Sequence, residues 1–269
     1  MILIMKYIIL GIVQGFTEPL PISSSGHVFI FKQIFGLNQL SNDLNFEIIV
    51  NFGSLIAITV IYYKDIKELV VNFFKYFKIK NDETKASFKY SILIILGCIP
   101  VGVAGVLLKD KIESLLQTSK IIGVSFLITS LFLFLVRNIE GSKETKDLTW
   151  KDALFIGLVQ VIALLPGISR SGSTLIAALF KNIKRSDSLK YSFMLYIPIS
   201  LGTMILSIKD LLELSNLKSI MVPYTFGFIS SLIVSFFTLK WFINAVKKGN
   251  LVYFSIYCLL LGIFVLILL

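Results

Sequence analysis

The sequence predicts an all-α polytopic membrane protein, built as an inverted-topology repeat of six transmembrane helices plus two re-entrant helix-loop-helix hairpins. Three observations predict it. The 269 residues are 56% hydrophobic, with a mean hydropathy of +0.86, and only 16% are charged. A soluble domain keeps about a quarter of its residues charged. Second, the stretches 90–108, 121–136, 191–208, 220–239 and 251–269 carry no charge, and runs of about 17–25 apolar residues match the hydrocarbon thickness of a bilayer. Third, two polar, proline-containing segments, one in each half of the chain, share one plan. This composition excludes a soluble enzyme, a nucleic-acid binder and a secreted disulfide scaffold. Cys98 and Cys258 lie deep in apolar runs without a CxxC or a nearby histidine, and read as small hydrophobes.

In chain order, the first element is the hairpin 7–31, YIILGIVQGFTEPLPISSSGHVFIF. Its apolar arms are each shorter than a bilayer, and its centre is rich in Pro, Gly and Ser. Non-helical backbone at membrane depth is tolerated only inside protein or along a wet cavity, so the segment is expected to enter and leave on one side. Spans follow at about 47–63, 90–108 and 121–137. The second hairpin, 152–180, repeats the plan around 166–174, and spans follow at about 190–208, 220–240 and 251–269. A shift of 146 residues pairs Gly11/Gly157, Val13/Val159, Gln14/Gln160, Ile22/Ile168, Ser23/Ser169, Ser25/Ser171 and Gly26/Gly172. Shared hydrophobicity does not explain matches at Gly, Gln and Ser. The chain thus reads as a single integral membrane domain over 1–269, with repeat one at about 1–140 and repeat two at about 150–269.

Charge sets the expected orientation. If the spans alternate, the connections 64–89, 137–151, 181–190 and 240–250 hold eighteen Lys and Arg, and 1–46, 109–120 and 209–220 hold seven. The positive excess faces the cytoplasm. Hairpin one then opens outward and hairpin two inward, and a site is expected where the broken helices meet near the midplane. No cleavable signal peptide is evident, because the apolar start runs into polar motif residues. The net charge of +10 is therefore a matter of topology and does not indicate a nucleic-acid partner.

Glu18, His27 and Arg170 are ionisable residues inside otherwise apolar hairpins. At membrane depth each needs a partner or a function. One reading is a structural Glu18–Arg170 salt bridge. The neighbouring residues point further. Ser23, Ser24, Ser25 and Gly26 in one loop, and Ser169, Ser171, Gly172, Ser173 and Thr174 in the other, place hydroxyls and amides at helix starts, where anions bind. Arg170 adds a planar fork suited to phosphate oxygens. Ser24 near His27 or Glu18 supplies a nucleophile and a base. Together these residues predict an oxyanion cage for phosphate.

GIVQGFTEPLPISSSGHV and LPGISRSGSTL resemble the two signature motifs of the undecaprenyl-diphosphatase family, the bacitracin-resistance phosphatases. The similarity extends through FEIIVNFGSLIAITVIYYKDI, LTWKDALFIGLVQ and YSFMLYIPISLGTMI, and so covers nearly the whole chain. The resemblance implies a hydrolase of the bacterial inner membrane that removes one phosphate from undecaprenyl diphosphate. That reaction recycles the lipid carrier for peptidoglycan and cell-wall synthesis and confers resistance to the antibiotic bacitracin. It implies catalytic roles for Glu18, Ser24, His27 and Arg170. It implies substrate contacts from Gln14, Ser23, Ser25, Gly26, Ser169, Ser171, Gly172 and Thr174, with Mg²⁺ or Ca²⁺ as cofactor and Glu18 as its protein ligand. Partners are the polyprenyl diphosphate and membrane lipid; a homodimer is an admissible assembly. Two positions depart from the usual motif: the first acidic position is Gln14, so a carboxylate there is dispensable, and Pro19 replaces an aromatic and stiffens the turn. Ser24 is the preferred nucleophile, with Glu18 or His27 as base; His27 or an activated water as nucleophile are the other options. The alternative function is a polyprenyl-phosphate transporter or flippase on the same fold, and a further class is an inactive lipid-binding protein.

Overall fold

The computed structural model describes residues 1–37, 44–108, 118–212 and 217–269. The structure is all-helical, with eleven α-helices, and no β-strand forms among the described residues. They are α1 (Ile2–Thr17), α2 (Ser24–Ile34), α3 (Leu44–Ile61), α4 (Tyr63–Lys75), α5 (Asp82–Leu107), α6 (Ser119–Val136), α7 (Trp150–Ile162), α8 (Arg170–Phe180), α9 (Arg185–Leu212), α10 (Leu217–Lys247) and α11 (Leu251–Leu268). Parts of the expected connections 1–46, 109–120 and 209–220 lie outside the described residues.

Among the described residues, five helices (α5, α6, α9, α10 and α11) are long and apolar enough to cross a membrane, or six if the bent pair of α3 and α4 is taken as one span. Apolar side chains such as Leu107, Leu206, Tyr253 and Leu260 stand exposed on the outer surface, as a lipid solvent requires. Prolines 100, 198 and 223 sit inside α5, α9 and α10, a placement tolerated where neighbouring helices re-satisfy the freed backbone.

The two polar segments fold as helix–loop–helix units. At about 1.5 Å per residue, the 11-residue α2 and α8 each reach about half of a 30 Å hydrocarbon core. The first unit starts earlier than the periodicity suggested, at Ile2. Residues 64–89, read as a connection, contain α4, a helix bent 75° from α3. Its buried edge carries Asn72, which donates to Glu83 Oε1 at 3.0 Å, and Phe73, which stacks on Phe88 of α5.

Small residues set the helix contacts, as expected where lipid offers no hydrophobic drive. A Cβ on Gly11 of α1 would collide with the Gly227 carbonyl of α10. A Cβ on Gly157 of α7 would collide with the Gly97 carbonyl of α5. The first helix of each unit thus packs on a long helix of the other half, and Gly11 and Gly157 are the pair matched by the 146-residue shift. The α6–α11 contact is reciprocal: Ser130 Oγ donates to the Ser255 carbonyl and Ser255 Oγ to the Ser130 carbonyl, both at 2.8 Å. In the core, Ser54 of α3 bonds to Ser231 at 3.0 Å and Ser235 at 2.8 Å on α10.

Candidate active site

Helix ends build the site. Glu18 is the C-terminal cap of α1, one turn after Gln14 on the same face. Gln14 Nε2 donates to Glu18 Oε2 at 2.8 Å. Ser24 opens α2, and its hydroxyl donates to the same carboxylate oxygen. Arg170 opens α8; its Nη2 reaches Glu18 Oε1 at 3.1 Å and its Nη1 reaches Ser200 Oγ at 3.1 Å. The guanidinium lies over the Tyr196 ring, 4.6 Å from its centre. Glu18 is thus a buried carboxylate held by three donors from three helices.

Both loops turn into their helices by the same device. Ser23 Oγ accepts from Gly26 N at 3.3 Å, and Ser169 Oγ accepts from Gly172 N at 3.0 Å. Ser23 also meets the Ser25 hydroxyl, and Ser169 the Ser171 hydroxyl, each at 3.3 Å. The first amides of a helix have no intrahelical partner and carry the positive end of its dipole. Of the two serine caps, Ser23 has a positive φ of 67° and Ser169 a φ of -72°; non-glycine residues hold a positive φ only where the surroundings impose it.

The loops are locked to each other. Ser171 Oγ donates to the Leu20 carbonyl at 3.0 Å, and Ser169 Oγ to the same oxygen at 3.4 Å. A Cβ on Gly172 would come within 3.2 Å of Pro21 Cβ, and one on Gly26 within 2.7 Å of the Phe126 ring. A side chain at Gly26 would force the Phe126 ring to move, and one at Gly172 would crowd Pro21.

Gln14, Glu18, Ser24 and Arg170 therefore converge on one point, with Ser25 beside them. Ser24, Ser25 and Arg170 are half-buried and Gln14, Glu18, Ser23 and Ser169 are buried, so the cluster opens at the two helix starts. His27 stands apart from Glu18 and Ser24. Its Nδ1 is 2.6 Å from the Ser23 carbonyl and its Nε2 is 2.7 Å from the Tyr257 hydroxyl. A carbonyl only accepts, so Nδ1 carries the proton, and in the neutral ring Nε2 accepts from Tyr257. Thr174 points away from the cluster; its hydroxyl bonds to Ser192 of α9 and to the Arg170 carbonyl.

Sequence reasoning missed Tyr196, Ser200 and Tyr257, because a hydroxyl within an apolar span gives no local signal of what it faces. Among the described residues no group of three or more His, Cys, Asp or Glu could hold a metal ion. The oxygens that do converge are the Glu18 carboxylate and the Ser24 hydroxyl, with the Gln14 side chain bonded to the same carboxylate. These are hard oxygen ligands, which suit Mg²⁺ or Ca²⁺ when phosphate and water complete the shell.

Known proteins match this chain along its length. The family described as "Bacitracin resistance protein BacA" matches residues 7–264. "Undecaprenyl-diphosphatase 1" of Bacillus licheniformis is 47% identical over 99% of this chain and 98% of its own length. "Undecaprenyl-diphosphatase" of Oceanobacillus iheyensis is 44% identical, covering 98% of this chain and 96% of its own. "Undecaprenyl-diphosphatase 1" of Halalkalibacterium halodurans is 42% identical, covering 99% and 97%. With both motifs in place at the meeting of the two hairpins, and a match from residue 7 to residue 264, the chain belongs to the bacitracin resistance protein BacA family.

Proposed function

We infer that this chain hydrolyses undecaprenyl diphosphate to undecaprenyl phosphate and inorganic phosphate, with Ser24 as nucleophile and Glu18 as its base. The observation that carries the assignment of roles is the shared carboxylate: Ser24 donates to one oxygen of Glu18 and Arg170 to the other. In this reading Ser24 Oγ attacks the terminal phosphorus and passes its proton to Glu18. The bridging P–O bond breaks and undecaprenyl phosphate leaves with the bond pair. The leaving phosphate takes that proton from Glu18. The freed carboxylate then deprotonates a water that attacks the seryl phosphate, and Ser24 Oγ leaves with the bond pair and takes the proton back from Glu18.

Arg170 stabilises charge on the equatorial oxygens with N–H groups not already given to Glu18 and Ser200, and the first amides of α2 and α8 add to this. Ser23, Ser25, Ser169, Ser171, Gly26 and Gly172 shape the two turns that present those amides. Thr174 supports α8 through Ser192 rather than touching substrate. A bound Mg²⁺ or Ca²⁺ would neutralise diphosphate charge, with Glu18, Gln14 and Ser24 as its protein ligands.

The placement in the membrane belongs to the same reading. The two helix–loop–helix units are re-entrant hairpins of an inverted repeat in the inner membrane, giving six spans. Supporting this are the short helices, the equivalent Gly11–Gly227 and Gly157–Gly97 contacts, and the asymmetry of Lys and Arg. The site then opens to the extracytoplasmic side, and the polyprenyl tail leaves sideways into lipid.

The test is phosphate release from undecaprenyl or farnesyl diphosphate by the detergent-purified chain. Wild type releases phosphate, and Ser24→Ala and Glu18→Gln do not. Release by Ser24→Ala at the wild-type rate would overturn Ser24 as nucleophile, and lipid transport without hydrolysis would overturn the activity.

A further inference from the structure

A second polar recess lies away from the two hairpins, at the lysine-rich end of the molecule. It is a cavity of about 430 Å³ between α4, the start of α5, the turn at Thr145–Asp147 and α9. Four lysines line it, Lys85, Lys89, Lys146 and Lys190, against two carboxylates, Asp65 and Glu68. Their pairings are unequal. Lys190 is bound to Asp65, and Lys146 is paired with Glu144 at 2.9 Å. Lys89 is held only by the neutral carbonyl of Lys146, at 2.9 Å. Among the described residues Lys85 and Glu68 form no ion pair. Two ammonium groups, on Lys85 and Lys89, therefore lack a carboxylate partner, one helical turn apart on the same face of α5.

The wall below them is apolar, made by Leu69, Leu93 and Met194. Tyr90 also lines the cavity, and its phenol oxygen is buried without a hydrogen-bond partner. An unmade buried hydrogen bond costs free energy, which a ligand oxygen admitted by a small side-chain movement would recover. The uncharged run of α5 begins at Tyr90, so the paired lysines stand at the edge of the apolar belt with the greasy wall beneath.

We propose that this cavity binds the phosphate headgroup of an anionic membrane lipid. Lys85 and Lys89 hold the phosphate, and the lipid's glycerol carbons and acyl chains run along Leu93 and Met194. Free inorganic phosphate shares the charge chemistry but has no use for the apolar wall. Glu68 accepts from a headgroup hydroxyl, and the excess of four lysines over two carboxylates favours a net-anionic headgroup over a zwitterionic one. The site is separate from Glu18, Ser24 and Arg170, so its occupancy is independent of the reaction assigned to them.

The experiment is native mass spectrometry of the detergent-purified full chain titrated with phosphatidylglycerol. The comparison proteins are Lys85→Gln/Lys89→Gln and Lys151→Gln, the latter changing an exposed lysine at the same end but outside the cavity. The double variant is expected to lose roughly tenfold in lipid affinity, Lys151→Gln to match wild type, and phosphatidylcholine to bind weakly to all three. Equal loss in Lys151→Gln, or none in the double variant, overturns the site. Competition by millimolar inorganic phosphate overturns the lipid in favour of a free anion. Should the double variant not fold, photo-crosslinking of wild type with benzophenone-labelled phosphatidylglycerol decides the matter: adducts are expected within 63–75, 82–97, 145–147 or 185–196, the segments that line the cavity, and adducts only elsewhere overturn the proposal.

Discussion

Ser24 and Arg170 occupy the same position of the two repeats. The 146-residue shift that pairs Ser23 with Ser169 and Ser25 with Ser171 also pairs Ser24 with Arg170, and Glu18 with Leu164. Each is the first residue of a short helix whose start faces the other loop, so one backbone device presents a hydroxyl in one half and a guanidinium in the other. Arg170→Lys keeps the charge but not the two-nitrogen reach to Glu18 and Ser200. It is expected to lose roughly 10²–10³ in kcat, with Arg170→Ala worse, measured as phosphate release. Glu18→Leu/Arg170→Met separates structure from chemistry. A buried pair replaced by apolar residues is often neutral for stability, so this variant is expected to fold and to be inactive. Activity above a few per cent would remove both from the mechanism. His27 holds the Ser23 carbonyl and is itself held by Tyr257, and so fixes the turn ahead of Ser24. Tyr257→Phe is accordingly expected to lower kcat less than Ser24→Ala does, while leaving the melting temperature near wild type.

At the scale of elements, glycine contacts decide how the halves meet. Gly11→Val and Gly157→Val each drive a side chain into a backbone carbonyl of the facing helix, where nothing flexible can yield. Each is expected to cost about 1–3 kcal/mol, read as a lower melting temperature in detergent. Gly26→Ala meets instead the Phe126 ring at 2.7 Å, and Gly26→Ala/Phe126→Leu is expected to recover part of that loss. A surface contact ties the α6–α7 connection to the start of α9. Glu144 accepts from Lys184 at 2.6 Å and pairs with Lys146 at 2.9 Å, and these bonds lower its carboxyl pKa to about 2. A lowered folded value stabilises above the ordinary carboxylate range, and the gain is lost as pH falls through about 2. The carboxylate is 43% exposed and screened by water, so the effect is small. Glu144→Gln is expected to melt slightly below wild type at neutral pH, with the difference closing as pH drops.

For the whole molecule, the proposed orientation rests on the distribution of Lys and Arg, and it is tested by labelling single cysteines in a background lacking Cys98 and Cys258. Lys80→Cys lies in the lysine-rich connection before α5, and Thr118→Cys at the start of α6; both positions are exposed. An impermeant thiol reagent is expected to label Thr118→Cys in intact cells and Lys80→Cys only after lysis. The reverse pattern would place the mouth of the first hairpin at the cytoplasm. The bent α3–α4 pair bears on the same picture. Beyond the bend, Tyr63, Val70 and Phe74 of α4 stand exposed, with Lys64, Lys67 and Lys75 also exposed on that helix, the composition of a helix suited to the interface plane.

Composition and pattern by themselves determined the class, the long apolar runs, the two broken segments and the residues that meet where those segments join. Long uncharged runs have one stable solvent, and Ser, Gly, Pro and Arg in mid-membrane have few tolerable settings. Glu18 and Arg170 were legible as ionisable groups inside apolar hairpins, and the Ser-Gly loops as helix starts rich in hydroxyls and amides. Contacts between segments remote in the chain were not legible. Only the tertiary structure decided that Glu18 binds Ser24 and Arg170 while His27 turns to Tyr257, that Thr174 braces α8 against Ser192, and that Tyr196 and Ser200 seat the guanidinium. Those choices depend on which helix packs against which, and that is set by glycine-to-carbonyl approaches between segments remote in the chain, Gly11 to Gly227 and Gly157 to Gly97, for which no local periodicity exists.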